Sequence, residues 1–266
     1  MSQSDRLHQI FPSGEFAWAF RMRKADPTEF FATKNHGGDL IRQRCSILDR
    51  DPNPYLAISK NLAPIGHELH ASLEKWGCDL MGSNDLPSIA RKIEPDLIVM
   101  DQATQKMVAA AVCFPSSWRP AKWLDHSIHE IHAVVPQLNA QIGKMIHKFL
   151  TELKPGKAFQ RANWSFTRSA ELNYHPDLRR PVIDESVEMN EVHLRIEHQL
   201  FTAIKGAVVM GIRIQPIPLT SLRVDEVLWQ NLIQILETMP EDVARYKCHN
   251  STAQGKQPLV ELMRSI

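Results

Sequence analysis

The densest group of chemically competent side chains is His126-Ser127-Ile128-His129-Glu130-Ile131-His132, three histidines spaced by three residues. On one helical turn such imidazoles share a face, and imidazole is a common ligand for haem iron and zinc. The spacing has low specificity, because histidines at such spacing also serve as solvated or capping residues. A second pair, His67 and His70, lacks the HExxH spacing of zinc peptidases. A different pattern occupies 193–197, where His193, Arg195 and Glu197 alternate with Leu194 and Ile196. On a strand the charged set projects from one face, as either a solvated sheet surface or the polar wall of a pocket. Four cysteines, Cys45, Cys78, Cys113 and Cys248, form no CxxC pair, which argues against a zinc ribbon, a thiolate-held cluster or a disulfide scaffold.

The elements that must position these groups follow from periodicity. Leu62, Ile65, Leu69, Leu73 and Trp76 trace a helix face behind Pro64. Residues 96–100 and 107–114 read as a hairpin ending at Pro115. Leu138, Ile142, Met145, Ile146, Phe149, Leu150 and Leu153 define the clearest helix, closed by Pro155-Gly156. A strand over 159–166 comes next. Residues 192–204 and 207–217 then form a long hairpin on the turn Lys205-Gly206. If that turn is strictly two residues, His198 faces Arg213 and Glu197 faces Ile214, so Arg213 and Arg195 lie on opposite faces. A last helix is expected over 221–239, with Val224 and Val227 on its apolar side and Pro240 as its stop. About five antiparallel strands with helices before, between and after them give an α+β class, expected as a single domain over 1–266.

The 266 residues are 43% hydrophobic and 23% charged, with a net charge of +1, a composition with no electrostatic case for nucleic acid or anionic lipid. No secretory signal pattern opens the sequence and no apolar run approaches a membrane span, so the expected location is the cytoplasm. Rossmann and P-loop motifs are absent.

Five ordered segments carry a resemblance: Val112-Cys113-Phe114-Pro115-Ser116-Ser117-Trp118, Ile131-His132-Ala133-Val134-Val135-Pro136, Asn163-Trp164-Ser165, Leu194-Arg195-Ile196-Glu197-His198-Gln199, and Ile212-Arg213. As a set the chain resembles the catalytic (alpha) subunit family of the haem-dependent oxidative N-demethylases, with weaker likeness from Phe20-Arg21-Met22 to Tyr246-Lys247. The resemblance implies a PAS-like twisted antiparallel sheet with flanking helices enclosing one haem b. It implies oxidation of a small methylated amine of the dimethylamine type, with O₂, to a demethylated amine and formaldehyde. Electrons would come from NADPH through FMN and 2Fe-2S groups on partner reductase subunits. Only His132 of the three clustered histidines matches the motif, which makes it the expected iron ligand, with His126 and His129 as alternatives. Asn163 and Trp164 are implied cofactor contacts; Arg195, Glu197 and Arg213 are the candidate catalytic groups, with the arginine that faces the haem left open. The chain departs from the pattern at Val134, at His198 and at Ile214-Gln215, and its hairpin turn is about two residues shorter. A haem-based gas or redox sensor is the runner-up, and an interaction protein without cofactor the third possibility.

Overall fold

The computed structural model describes residues 2–34, 38–249 and 256–265. Seven strands form one open antiparallel sheet in the order β1-β5-β6-β7-β3-β4-β2. Their ranges are β1 Arg23–Lys24, β2 Leu56–Ile58, β3 Asp96–Asp101, β4 Met107–Ala111, β5 Ala158–Thr167, β6 His193–Ile204 and β7 Ala207–Pro218. The class is α+β, as expected, but two strands exceed the expected five. Those two are β1 and β2, two and three residues long, below the length at which alternation can be seen.

The long hairpin has the expected register: Glu197 opposes Ile214, His198 opposes Arg213, and Gly206 takes φ +82° in the two-residue turn. The strand expected to reach residue 114 stops at Ala111. Beyond it the main chain turns inward, where the buried Asp96 carboxylate accepts from the N–H groups of Cys113 (2.7 Å) and Phe114 (3.0 Å) and pairs with buried Arg44 at 2.5 Å. Ladder donors are thereby traded for charge-assisted bonds.

One face of the sheet packs on helices from both ends of the chain. Phe166, Leu194, Ile196 and Ile217 meet Leu228, Leu232 and Leu236, while Leu97, Val99, Leu200 and Val209 meet Phe31, Leu69 and Leu73. The helix expected over 221–239 is two helices, Leu219–Leu222 and Glu226–Thr238. Asp225 breaks it, because its carboxylate caps Leu228 N–H at 3.1 Å, and Val224 and Val227 are left exposed.

The second face bears the site. A 15-residue helix, Leu138–Glu152, lays Leu138, Ile142, Ile146 and Leu150 over Ile98, Met100, Met107 and Ile212. A short helix, Ile128–His132, precedes it, started by a capping box in which Ser127 and Glu130 bond each other's main-chain N–H. Trp18 and Phe20 complete the cover, with Trp18 Nε1 donating to Pro136 O at 3.2 Å. No helix among the described residues is long and apolar enough to cross a membrane.

Candidate functional site

Between the second face and its cover lies a cavity of about 230 Å³. Its apolar walls include Trp18, Phe20, Trp118, Trp123, Phe149 and Phe201. A strip of its polar groups comes from β5 and β6, where odd-numbered positions share the cavity face: Arg161, Asn163 and Ser165 on one strand, Glu197 and Gln199 on the next.

Of the three clustered histidines, only His132 lines the cavity. His126 precedes the helix, gives its Nδ1 to Leu124 O at 3.0 Å and packs on Trp123, while His129 is exposed. The His132 imidazole has no hydrogen-bond partner among the described residues. Removal from water, reinforced by the positive charges of Arg161 and His129, pushes its pKa down to about 4. It is therefore neutral at physiological pH, with a lone pair free for an electrophile or a metal.

Glu197 also lines the cavity. Its Oε2 accepts from Asn163 Nδ2 and from Gln199 Nε2, both at 3.0 Å, and Oε1 accepts nothing from the described residues. Asn163 lies on the cavity wall. Trp164 borders the cavity, but its indole packs among Phe11, Phe16 and Phe166, with ring centroids 5.0, 6.4 and 5.8 Å away. Behind Asn163, buried Lys247 donates to Asn163 Oδ1 and to Trp164 O, each at 2.8 Å, with its ammonium 4.8 Å from the Trp18 ring and 4.6 Å from that of Trp164. Burial, followed by the charge of Arg161, brings the Lys247 pKa down to about 7.

Neither expected arginine presents its guanidinium to the cavity. Arg195 shares the face of Glu197, but its N–H groups go to Ser116 Oγ (2.9 Å), Glu171 O (3.1 Å), Phe114 O (3.0 Å) and Leu172 O (2.7 Å). It clamps the loop behind the cavity wall. Arg213 lies on the opposite face, bonded to Phe30 O and paired with Glu94 at 2.7 Å. The cation on the wall is Arg161, whose guanidinium has neither hydrogen bond nor ion pair among the described residues. Burial lowers its pKa, opposed by the negative charge of Glu197.

Arg161, Gln199, Lys247 and His249 escaped the sequence reading. One signal existed: Arg161, Asn163 and Ser165 alternate with Ala162, Trp164 and Phe166, the pattern that drew attention to Arg195 and Glu197. His249 contacts the hydroxyls of Ser117 and, at 2.8 Å, Ser165, closing one end of the cavity.

Among the described residues no cluster of three or more His, Cys, Asp or Glu side chains is placed to hold a bare metal ion. The arrangement is instead a largely apolar, aromatic-lined cavity with a polar strip across the sheet and, on its wall, a neutral imidazole that has no partner among the described residues and could ligate a cofactor metal. An α+β protein with one antiparallel sheet face hollowed into such a pocket is the class that fold and site define. Residues 27–255 match the family described as haem-dependent oxidative N-demethylase, alpha subunit-like, and the chain belongs to that family.

Proposed function

We propose that this chain is the catalytic subunit of a haem-dependent monooxygenase that removes a methyl group from a small amine, with dimethylamine as the reference substrate. The carrying observation is His132, an imidazole kept neutral and without a partner among the described residues, on the wall of a largely apolar cavity in a member of this family. The central strands run β4-β3-β7-β6-β5, with the first hairpin beside the last strand, which supports a PAS-like sheet. His132 would hold the iron of one b-type haem through a ring nitrogen, and Trp18, Phe20, Trp118, Phe149 and Phe201 would wall the macrocycle. The haem supplies oxygen activation.

In the overall reaction the N-methyl carbon leaves as formaldehyde with one oxygen atom of O₂. Two electrons and two protons reduce the other oxygen to water. NADPH is the proposed electron source, acting through FMN and 2Fe-2S groups on separate reductase subunits in the cytoplasm. Glu197 is the amine's anchor: Asn163 and Gln199 hold Oε2, so Oε1 is the atom left to accept an N–H from the methylammonium and to take its proton. Arg195 acts at one remove, fixing Ser116 and the wall beside it.

The test is the visible spectrum of the purified protein followed by an assay with reductase, NADPH and methylated amines. A Soret band with amine-dependent formaldehyde release is expected. Formaldehyde release with NADPH but no reductase would overturn the division of labour; a Soret band without turnover on any amine would favour a sensor.

A further inference from the structure

The cavity wall carries two charges of opposite sign that do not meet. Register pairs Arg161 with Gln199 and Asn163 with Glu197, so Arg161 and Glu197 are diagonal neighbours on adjacent strands of one face. They are close enough for the Glu197 charge to act on Arg161, yet no ion pair joins them. Among the described residues each retains unused capacity, Arg161 its guanidinium N–H donors and Glu197 its Oε1.

A half-buried guanidinium with no partner among the described residues is poorly compensated, so the site suits something that brings an anion. A simple alkylamine would satisfy Glu197 and leave Arg161 bare. A simple carboxylate on Arg161 would stand beside the Glu197 carboxylate and be repelled by it. A ligand with both charges a bond or two apart satisfies both residues and leaves the net charge of the cavity unchanged. Lys247, behind Asn163, adds a second cation near Glu197, which strengthens the need for an incoming carboxylate.

We propose that the amine oxidised here is an N-methylated α-amino acid, bound as its zwitterion with the carboxylate on Arg161 and the methylammonium on Glu197. This rests on reading the cavity as a demethylase site and names its substrate class. The reaction keeps the balance given above, its organic product being the N-demethylated amino acid, and the carboxylate takes no part beyond binding. A bidentate pairing of carboxylate with guanidinium gives geometric selectivity as well as affinity.

The test is an optical titration of the haem-loaded protein with N-methylglycine, dimethylamine and acetate, run in parallel with Arg161→Gln and Arg161→Lys. N-methylglycine is expected to bind at least about tenfold more tightly than either fragment, a preference that Arg161→Gln abolishes and Arg161→Lys partly restores, with haem content unchanged. Tighter binding of dimethylamine than N-methylglycine would overturn the proposal. So would loss of haem from Arg161→Gln, which would assign the guanidinium to a carboxylate of the cofactor instead. If the wild-type protein takes up no haem, the demethylase reading falls by itself. Calorimetry with N-methylglycine on the haem-free protein then decides the zwitterion site: Arg161-dependent binding keeps it and no binding removes it.

Discussion

Lys247 donates a 2.8 Å hydrogen bond to Asn163 Oδ1, and this settles which way the Asn163 amide faces. An ammonium can only donate, so the amide oxygen turns to it and the Nδ2 group turns to Glu197, 3.0 Å away. The carboxylate at the cavity is thus oriented by a lysine it does not touch.

Replacing Lys247 with methionine releases that amide while filling the same apolar space between the two indoles. Amine binding is expected to weaken about fivefold to tenfold, the worth of roughly one oriented hydrogen bond. Stability at neutral pH should hold or rise, since a desolvated ammonium is removed. Asn163→Ala should weaken binding similarly, and the double variant should be no worse than either single one. Additive losses in titrations of the four proteins would break the proposed relay.

His132→Ala should leave the fold intact and abolish haem retention, whereas His126→Ala and His129→Ala should keep a full complement. The distinction rests on position: His126 is engaged with Leu124 O and Trp123, and His129 is exposed, so neither imidazole lines the cavity. Haem-to-protein ratio from absorbance decides it, and full haem in His132→Ala would move the ligand elsewhere.

Arg195 and Glu197 sit two apart on β6 and should fail differently. Removing the Arg195 side chain strands four acceptors, three of them main-chain carbonyls, so Arg195→Ala should cost about 3–5 kcal/mol and lower haem retention with stability. Glu197→Gln keeps its shape and loses only charge. It should leave the melting temperature nearly unchanged and weaken amine binding about tenfold or more. Denaturation curves and amine titrations of both variants separate a structural clamp from a ligand anchor.

The hairpin shows why the sequence pointed to Arg195 rather than to Arg161. Alternation and the Lys205-Gly206 turn fix which residues share a face, and the structure has that register. Alternation alone does not say how far along a strand the cavity extends. Arg195 lies where the strand passes under the loop holding Glu171 and Leu172, whose carbonyls take its donors. Arg161 lies one strand over, where no carbonyl of the described residues meets its guanidinium. That difference is set by loop carbonyls 24 and 23 residues back along the chain from Arg195, at no periodic spacing, so it emerges only once the chain is folded. The same holds for Lys247, which reaches β5 from 84 residues further along the chain.

The last prediction concerns acid stability and turns on His249. Its two ring nitrogens are engaged by the hydroxyls of Ser117 and Ser165, and its ring lies 5.1 Å from that of Tyr174. Burial first, then the charges of Arg195 and Lys247, push its pKa from the ordinary 6.5 down to about 3. In the unfolded chain the same imidazole takes up a proton near 6.5, so between about pH 6.5 and pH 3 the unfolded state binds one more proton than the native state. Stability should therefore be flat above pH 6.5 on this account and fall as the pH drops, by up to about 1.4 kcal/mol per pH unit for the one group. His249→Asn removes the titration while keeping a donor and an acceptor. It should flatten the acid limb even if it costs stability at neutral pH, because the slope depends on the proton count and not on the starting value. Urea unfolding of the wild type and His249→Asn between pH 4 and 7 measures both slopes. Equal slopes would mean that His249 is already protonated in the native protein, and the hydroxyl bridge from Ser117 to Ser165 would then have to be redrawn with a charged imidazole at its centre.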